Sequence, residues 1–169
     1  MINNILEFSR KENEKLKYET QDTNLSEIVN STVDEMNYWM EINKFNVVLD
    51  IKQNINAKVN SEGIKQALSN LISNAIKYSG EKKKLIIRLI QKETSALIEV
   101  EDFGIGIPED KLELIFEKFY RVNSEENETT SGTGLGLTVT RDIIEAQNGK
   151  LLVQSTLGKG SKFTIVLNI

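Results

Sequence analysis

The segment Asn70-Leu71-Ile72-Ser73-Asn74-Ala75-Ile76-Lys77-Tyr78 carries two amides one helical turn apart, followed by a lysine and a tyrosine. In a helix, Gln66, Asn70, Asn74 and Lys77 share one stripe, while Leu68, Leu71, Ile72, Ala75 and Ile76 lie around the opposite side. An ordinary wet helix face would carry mixed Glu and Lys. Amide oxygens are neutral, hard ligands, suited to a Mg²⁺ ion that keeps several waters and binds phosphate oxygens. Lys77 adds a point charge for phosphate. On these residues alone, a plain amphipathic helix with a polar face accounts for the stripe equally well.

Asp102-Phe103-Gly104-Ile105-Gly106 is the second such stretch. Along the strand before it, Ala96, Ile98 and Val100 point one way, and Leu97, Glu99 and Glu101 the other. Asp102 keeps the parity of the apolar set. A carboxylate aimed at the buried side must find donors, because an unpaired buried charge is costly. An adenine amino group is such a donor; local backbone amides in a turn are the alternative. Gly104 and Gly106 bracket Ile105 and are expected to let the backbone approach a flat ligand closely. The third stretch, Gly132-Thr133-Gly134-Leu135-Gly136-Leu137, runs into a helix. Free amides at a helix start form an anion site. No Gly-Lys-Ser/Thr follows, so this is not a Walker-A loop. No strand immediately precedes it, which argues against a dinucleotide fingerprint.

These stretches need a frame. Apolar spacing predicts a helix over 1–20 with a weak coiled-coil seam, a polar break at 21–24, and a second helix over 25–42 capped by Thr23 or Asn24. A strand is expected at 46–51, a shorter one at 57–59, and the amide-bearing helix over 61–78, ended by Ser79-Gly80. A hairpin follows, 85–91 with 96–101. Residues 102–134 read as a long loop holding a short helix at 109–115, and a loop of this length inside a domain is usually functional. The last helix is expected over 134–147, then strands at 150–155 and 162–168. The fold class is an α/β two-layer sandwich, with helices on one face of a mixed, largely antiparallel sheet. Residues 1–22 are expected to be the end of a separate helix and linker, and 23–169 one domain.

Composition narrows the chemistry. The chain has 169 residues, enough for one ordinary domain with a short extension, and a net charge of −4, so no basic excess drives nucleic-acid binding. Cysteine and histidine are both absent, which removes disulfides, thiol catalysis, the commonest general base and any His-based metal site. No apolar run approaches the roughly eighteen residues of a membrane span, and no signal peptide opens the chain. The chain is expected to be a soluble, cytoplasmic piece of something larger.

Taken in order, these elements resemble the histidine kinase catalytic domain of the gyrase, chaperone, kinase and mismatch-repair ATPase superfamily, with its Bergerat ATP-binding fold. Asn70 to Ser79 is similar to the family's N box, and Asp102 to Ile107 to its first glycine box. Phe116-Glu117-Lys118-Phe119-Tyr120-Arg121 resembles the F box, and Gly132 to Leu137 the second glycine box. Gly158 to Phe163 is similar to the final hairpin, and the likeness covers roughly 24–169.

The resemblance implies ATP and Mg²⁺ as cofactors, with Asn74 as the metal ligand and Asn70 one turn away orienting water or metal. Lys77 and Arg121 would meet phosphates, and Asn70, Lys77 and Arg121 would carry the catalysis. Tyr78, Asp102, Gly104, Ile105, Gly106 and Ile107 would line the nucleotide, with Asp102 on the adenine amino group. Phe119, Thr133, Gly134, Leu135, Gly136 and Leu137 would complete the site on the phosphate side. Residues 123–131 would form an ATP lid anchored by Phe116 and Phe119, although core packing suits both aromatics too. Lys118 and Thr164 read as surface and strand residues.

Residues 1–20 resemble the end of a dimerisation helix, and the phosphoacceptor histidine would sit on the helix before it. The implied reaction moves the ATP γ-phosphoryl to that histidine. The implied partners are the histidine-bearing dimerisation domain of the same kinase and a downstream response regulator, in a homodimeric sensor kinase held in a membrane. No nucleic acid and no direct membrane contact are expected of this piece. A hydrolase of the same superfamily would carry a glutamate on the N-box helix to activate water; Asn70 is an amide and no general base. A nucleotide sensor without transfer, and an anti-sigma-type serine kinase, which usually lacks an F box, are the remaining alternatives.

Overall fold

The computed structural model describes residues 19–122 and 132–169. The helix expected over 1–20 lies outside them but for residues 19 and 20, which have no regular structure. The expected lid at 123–131 lies outside them as well.

Chain order is β1 (Gln21–Asn24), α1 (Leu25–Ile42), β2 (Asn46–Ile51), β3 (Asn56–Val59), α2 (Ser61–Tyr78), β4 (Lys84–Lys92), β5 (Ser95–Asp102), two 3-10 turns (Glu109–Lys111 and Leu114–Phe116), α3 (Gly136–Glu145), β6 (Lys150–Thr156) and β7 (Gly160–Asn168). Five strands form the main sheet in the order β2-β4-β5-β7-β6; β1 and β3 form a separate antiparallel pair. In the main sheet only β2 and β4 run parallel. Parallel neighbours need a long crossover. The chain supplies β3 and α2 between them, which lays the amide-bearing helix against the sheet.

The helices start where side chains can satisfy their free amides. Asn24 Oδ1 accepts from the Ser26 amide at 3.0 Å, and Asn60 Oδ1 from the Gly63 amide at 2.7 Å. Each cap stabilises its helix by about 1 kcal/mol. α1 buries Leu25, Ile28, Val29, Val33 and Met40; α2 buries Ile64, Ala67, Leu68, Leu71, Ile72 and Ala75. Both face the alternate residues Leu85, Ile87, Leu89, Ala96, Ile98, Val100, Phe163, Ile165 and Leu167. Burial of these side chains is the dominant stabilising term. The opposite face of the sheet is tied by charges: Arg88 Nη1 lies 2.6 Å from Glu101 Oε2, and Lys162 Nζ 3.6 Å from Glu99 Oε1.

Three expectations shift. Residues 21–24 are not a plain break but strand β1, paired Gln21 to Val59 through Asn24 to Asn56. Their polar sequence carries no alternating apolar signal, and only the partner strand makes them β. This pair also straddles the expected boundary at residue 22. The short helix of 109–115 resolves into the two 3-10 turns. The last helix begins at Gly136 rather than Gly134, because Gly134 has a φ of +72° and cannot continue a right-handed helix.

Candidate nucleotide site

α2 presents Gln66, Asn70, Asn74, Lys77 and Tyr78 to a cavity of about 530 Å³. The stripe read from the sequence is one wall. Its Leu68, Leu71 and Ile72 side is in the core, so the polar stripe has no other place to face. Asn70 also bridges helices: its Nδ2 donates to Thr140 Oγ1 at 2.7 Å, and that hydroxyl donates to the Gly136 carbonyl at 2.9 Å.

Asp102 stands at one end of the cavity and is only 6% exposed. It closes β5 with the parity of Ile98 and Val100, which places it on the helix-facing side of the sheet. Its Oδ1 accepts from the Gly104 amide at 2.9 Å. Burial pushes the carboxyl up to about 6, against the amides of Gly104 and Ser161 that hold it down. Both sequence readings of Asp102 therefore meet in one residue: a local turn acceptor, and a buried carboxylate lining a cavity.

The first glycine motif serves a purpose that the sequence did not suggest. A Cβ on Gly104 would fall on the Tyr78 carbonyl oxygen, and one on Gly106 (φ +67°) on the Thr156 carbonyl oxygen. The neighbouring bonds explain the crowding. Ile105 N donates to Tyr78 O at 3.0 Å, Gly158 N to Ile105 O at 2.7 Å, and Ile107 N to Ser155 Oγ at 2.8 Å. The glycines let this segment pass between the end of α2 and the β6–β7 turn, and their missing side chains make room for the protein's own backbone. Ile105, Gly106 and Ile107 still line the cavity; Gly104 lies behind it.

Gly132, Thr133, Gly134, Leu135, Gly136 and Leu137 form the wall at the other end. Leu135 caps α3 without a side-chain hydrogen bond, and Thr133 Oγ1 accepts from the Leu135 amide at 3.4 Å. The first-turn amides of a helix have no partner within it, so this end of the cavity favours an anion. Tyr120, Arg121 and Val122 complete the wall. Behind them, the Phe116 carbonyl accepts from Thr138 Oγ1 at 2.9 Å and from Arg141 Nη2 at 3.3 Å, and the Arg141 guanidinium lies 5.3 Å from the Phe116 ring. Phe116 is thus a core aromatic holding α3. Phe119 donates its amide to Gly134 O at 3.0 Å, but its ring is 67% exposed and does not line the cavity.

Apart from Gly104 and Phe119, every residue expected to bind the nucleotide or metal lines this cavity. The sequence reading did not single out Thr140, Ser161 or Phe163 as site residues. Thr140 was within reach, since it lies one turn beyond Gly136 on the same helix. Ser161 and Phe163 depend on strand register: Phe163 pairs with Val100, two residues before Asp102.

The chain is similar to known proteins. Residues 59–169 match the family described as histidine kinase-, DNA gyrase B-, and HSP90-like ATPase. The chain is 47% identical over 110 residues to the sensor histidine kinase RppB of Synechocystis sp., covering 65% of this chain and 24% of RppB. It is 30% identical over 168 residues to the circadian input-output histidine kinase CikA of Synechococcus elongatus, covering 98% of this chain and 22% of CikA. The chain thus spans about a quarter of the length of these curated relatives. The solved catalytic domain of the histidine kinase ThkA superimposes with a TM-score of 0.77 at 26% identity, covering 89% of this chain and 95% of that one. A buried carboxylate, an amide-bearing helix and a glycine-led helix start around one cavity are what this chain contributes as a member of the histidine kinase-, DNA gyrase B- and HSP90-like ATPase family.

Proposed function

We propose that this chain is the ATP-binding catalytic domain of a sensor histidine kinase and positions the γ-phosphoryl for transfer to a histidine on another domain. The observation that carries this reading is the polarity of this cavity: a buried carboxylate at one end, helix-start amides at the other, and the amide and lysine stripe of α2 between them.

Asp102, ionised at neutral pH and shielded from water, accepts the adenine amino group, while Ile105, Gly106 and Ile107 shape the slot around the ring. The α3 amides at Gly136 and Leu137 receive phosphate oxygens. Lys77 and Arg121 add positive charge, and Tyr78 packs along the nucleotide. Among the described residues, no cluster of three or more His, Cys, Asp or Glu could grip a metal by itself. That donor set fits Mg²⁺ arriving with the nucleotide, held by phosphates and the Asn74 amide oxygen rather than by a protein cage. When bound, Mg²⁺ would neutralise charge on the phosphate oxygens during transfer. Asn70, one turn away, would orient that metal's water. No described helix is long and apolar enough to cross a membrane. The chain contains no histidine, so the acceptor must be supplied by a dimerisation domain, with a response regulator next in line. We place this domain on the cytoplasmic side of a homodimeric sensor.

The test supplies a histidine-bearing dimerisation domain in trans with γ-labelled ATP. Label on that histidine supports the kinase. Label released only as phosphate means a hydrolase, and retention on ATP means a nucleotide sensor.

A further inference from the structure

Thr140 is buried, lies one turn beyond Gly136 on α3 and lines the cavity. Its Oγ1 stands 2.9 Å from the Gly136 carbonyl oxygen and 2.7 Å from Asn70 Nδ2. A hydroxyl has one proton, and a carbonyl oxygen can only accept. The proton is therefore committed to Gly136, and the hydroxyl oxygen can only accept from Asn70. Asn70 must turn its NH2 toward Thr140, which directs its Oδ1 elsewhere. That oxygen rests against the first turn of α3: a Cβ on Gly136 would lie 2.6 Å from Asn70 Oδ1. Reversed, the amide would present donors where a hydrated cation needs an acceptor.

We propose that Thr140 is a positioning residue that selects the orientation of the Asn70 amide, so that Asn70 offers its carbonyl oxygen to the hydrated Mg²⁺ of the nucleotide. This rests on the reading of Asn70 as the residue that orients the metal's water. Valine at position 140 keeps the shape and deletes the hydroxyl; serine keeps the hydroxyl.

The experiment compares the unaltered chain with Thr140→Val, Thr140→Ser and Asn70→Ala. Binding of a non-hydrolysable ATP analogue is followed by calorimetry across Mg²⁺ concentrations and in EDTA. The Asn70 side-chain NH2 signals are followed by NMR without nucleotide. Thr140→Val should raise the Mg²⁺ midpoint roughly three- to tenfold, the worth of one net hydrogen bond. Its affinity in EDTA should stay within about twofold. The Asn70 NH2 signals should shift and exchange faster, and Thr140→Ser should restore both readouts. An unmoved midpoint in Thr140→Val, beside a raised one in Asn70→Ala, overturns the proposal and leaves the reading of Asn70 standing. An unmoved midpoint in Asn70→Ala overturns that reading itself. Equal weakening by valine and serine in EDTA would mean simple packing and would also overturn the proposal. Should the valine chain fail to fold, Thr140→Ala carries the same comparison.

Discussion

The two glycine motifs look alike as sequence and are built differently. The first is clamped on both sides by backbone: Gly104 against Tyr78 and Ser79, Gly106 against Thr156 and Leu157. The second is looser at its start. Among the described residues Gly132 has nothing within 4 Å of where a Cβ would stand, whereas Gly134, two positions on, would bring a Cβ to 2.7 Å from the Phe119 backbone. The Asp102 end of the cavity is thus part of the protein's framework, whereas the second motif begins at a position with open space around it among the described residues. A rigid slot suits a flat ring of constant shape. An open approach to the helix start would suit a phosphate chain that must be received and released.

Substitutions can break this contrast, and the largest effect should come from Gly104→Ala. Its Cβ would fall on backbone that cannot swing aside, so a stability loss of about 3 kcal/mol or more is expected. Thermal unfolding would register that as a drop of roughly 8 °C. A drop under about 2 °C would show that the first motif is not clamped.

Asp102→Asn should come next and should separate binding from folding. Loss of the charged acceptor should weaken an ATP analogue roughly tenfold or more in calorimetry. Stability should move the other way. The folded carboxyl lies near 6 against an ordinary 3.8, so the folded state holds the proton more tightly than the unfolded chain between those values. Stability therefore falls as pH rises through that window, and above it the buried charge costs on the order of 3 kcal/mol. The asparagine chain should melt higher than the unaltered one at pH 8 and not at pH 3.5. A lower melting temperature at pH 8 would contradict the burial argument.

The same carboxyl sharpens the comparison without mutation. Nucleotide affinity should decline as pH falls below about 6, reaching roughly a tenfold loss near pH 5, as Asp102 takes up its proton. In Asp102→Asn this dependence should vanish. Removal of Mg²⁺ with EDTA should act away from Asp102, weakening the unaltered chain and Asp102→Asn by the same factor; equal affinity with and without the metal would remove Asn74 from that role. The smallest effect is expected for Gly132→Ala, with a stability change within about 0.5 kcal/mol, as for other open surface positions. A large loss there would erase the distinction between the motifs.

Much of this was legible beforehand. The stripe Gln66, Asn70, Asn74 and Lys77 follows from helical periodicity, and the parity of Asp102 with Ile98 and Val100 from the strand repeat. The end of α2 at Tyr78 and the cap at Asn24 follow from local turn and capping chemistry. Strand β1 was not legible, because Gln21 to Asn24 becomes β only by pairing with Asn56 to Val59. The backbone packed against Gly104 and Gly106 was not legible for a similar reason. A glycine announces that something passes close by, and nothing in one dimension says whether a ligand or another backbone does so.

By itself, the sequence determined the inventory and the local geometry: which residues share a helix face, which carboxylate points inward, where α1 and α2 begin and which chemistries are missing for want of histidine and cysteine. These depend on near neighbours in the chain, within a turn or a strand repeat. Only the tertiary structure decided that Asp102, Asn74 and Gly136 border the same cavity, that Thr140 reaches Asn70 seventy positions away, and that Phe119 stands outside. Such meetings depend on how the sheet order β2-β4-β5-β7-β6 folds distant segments together. They are resolved by the burial of the whole core, a sum over contacts that no single stretch of residues contains.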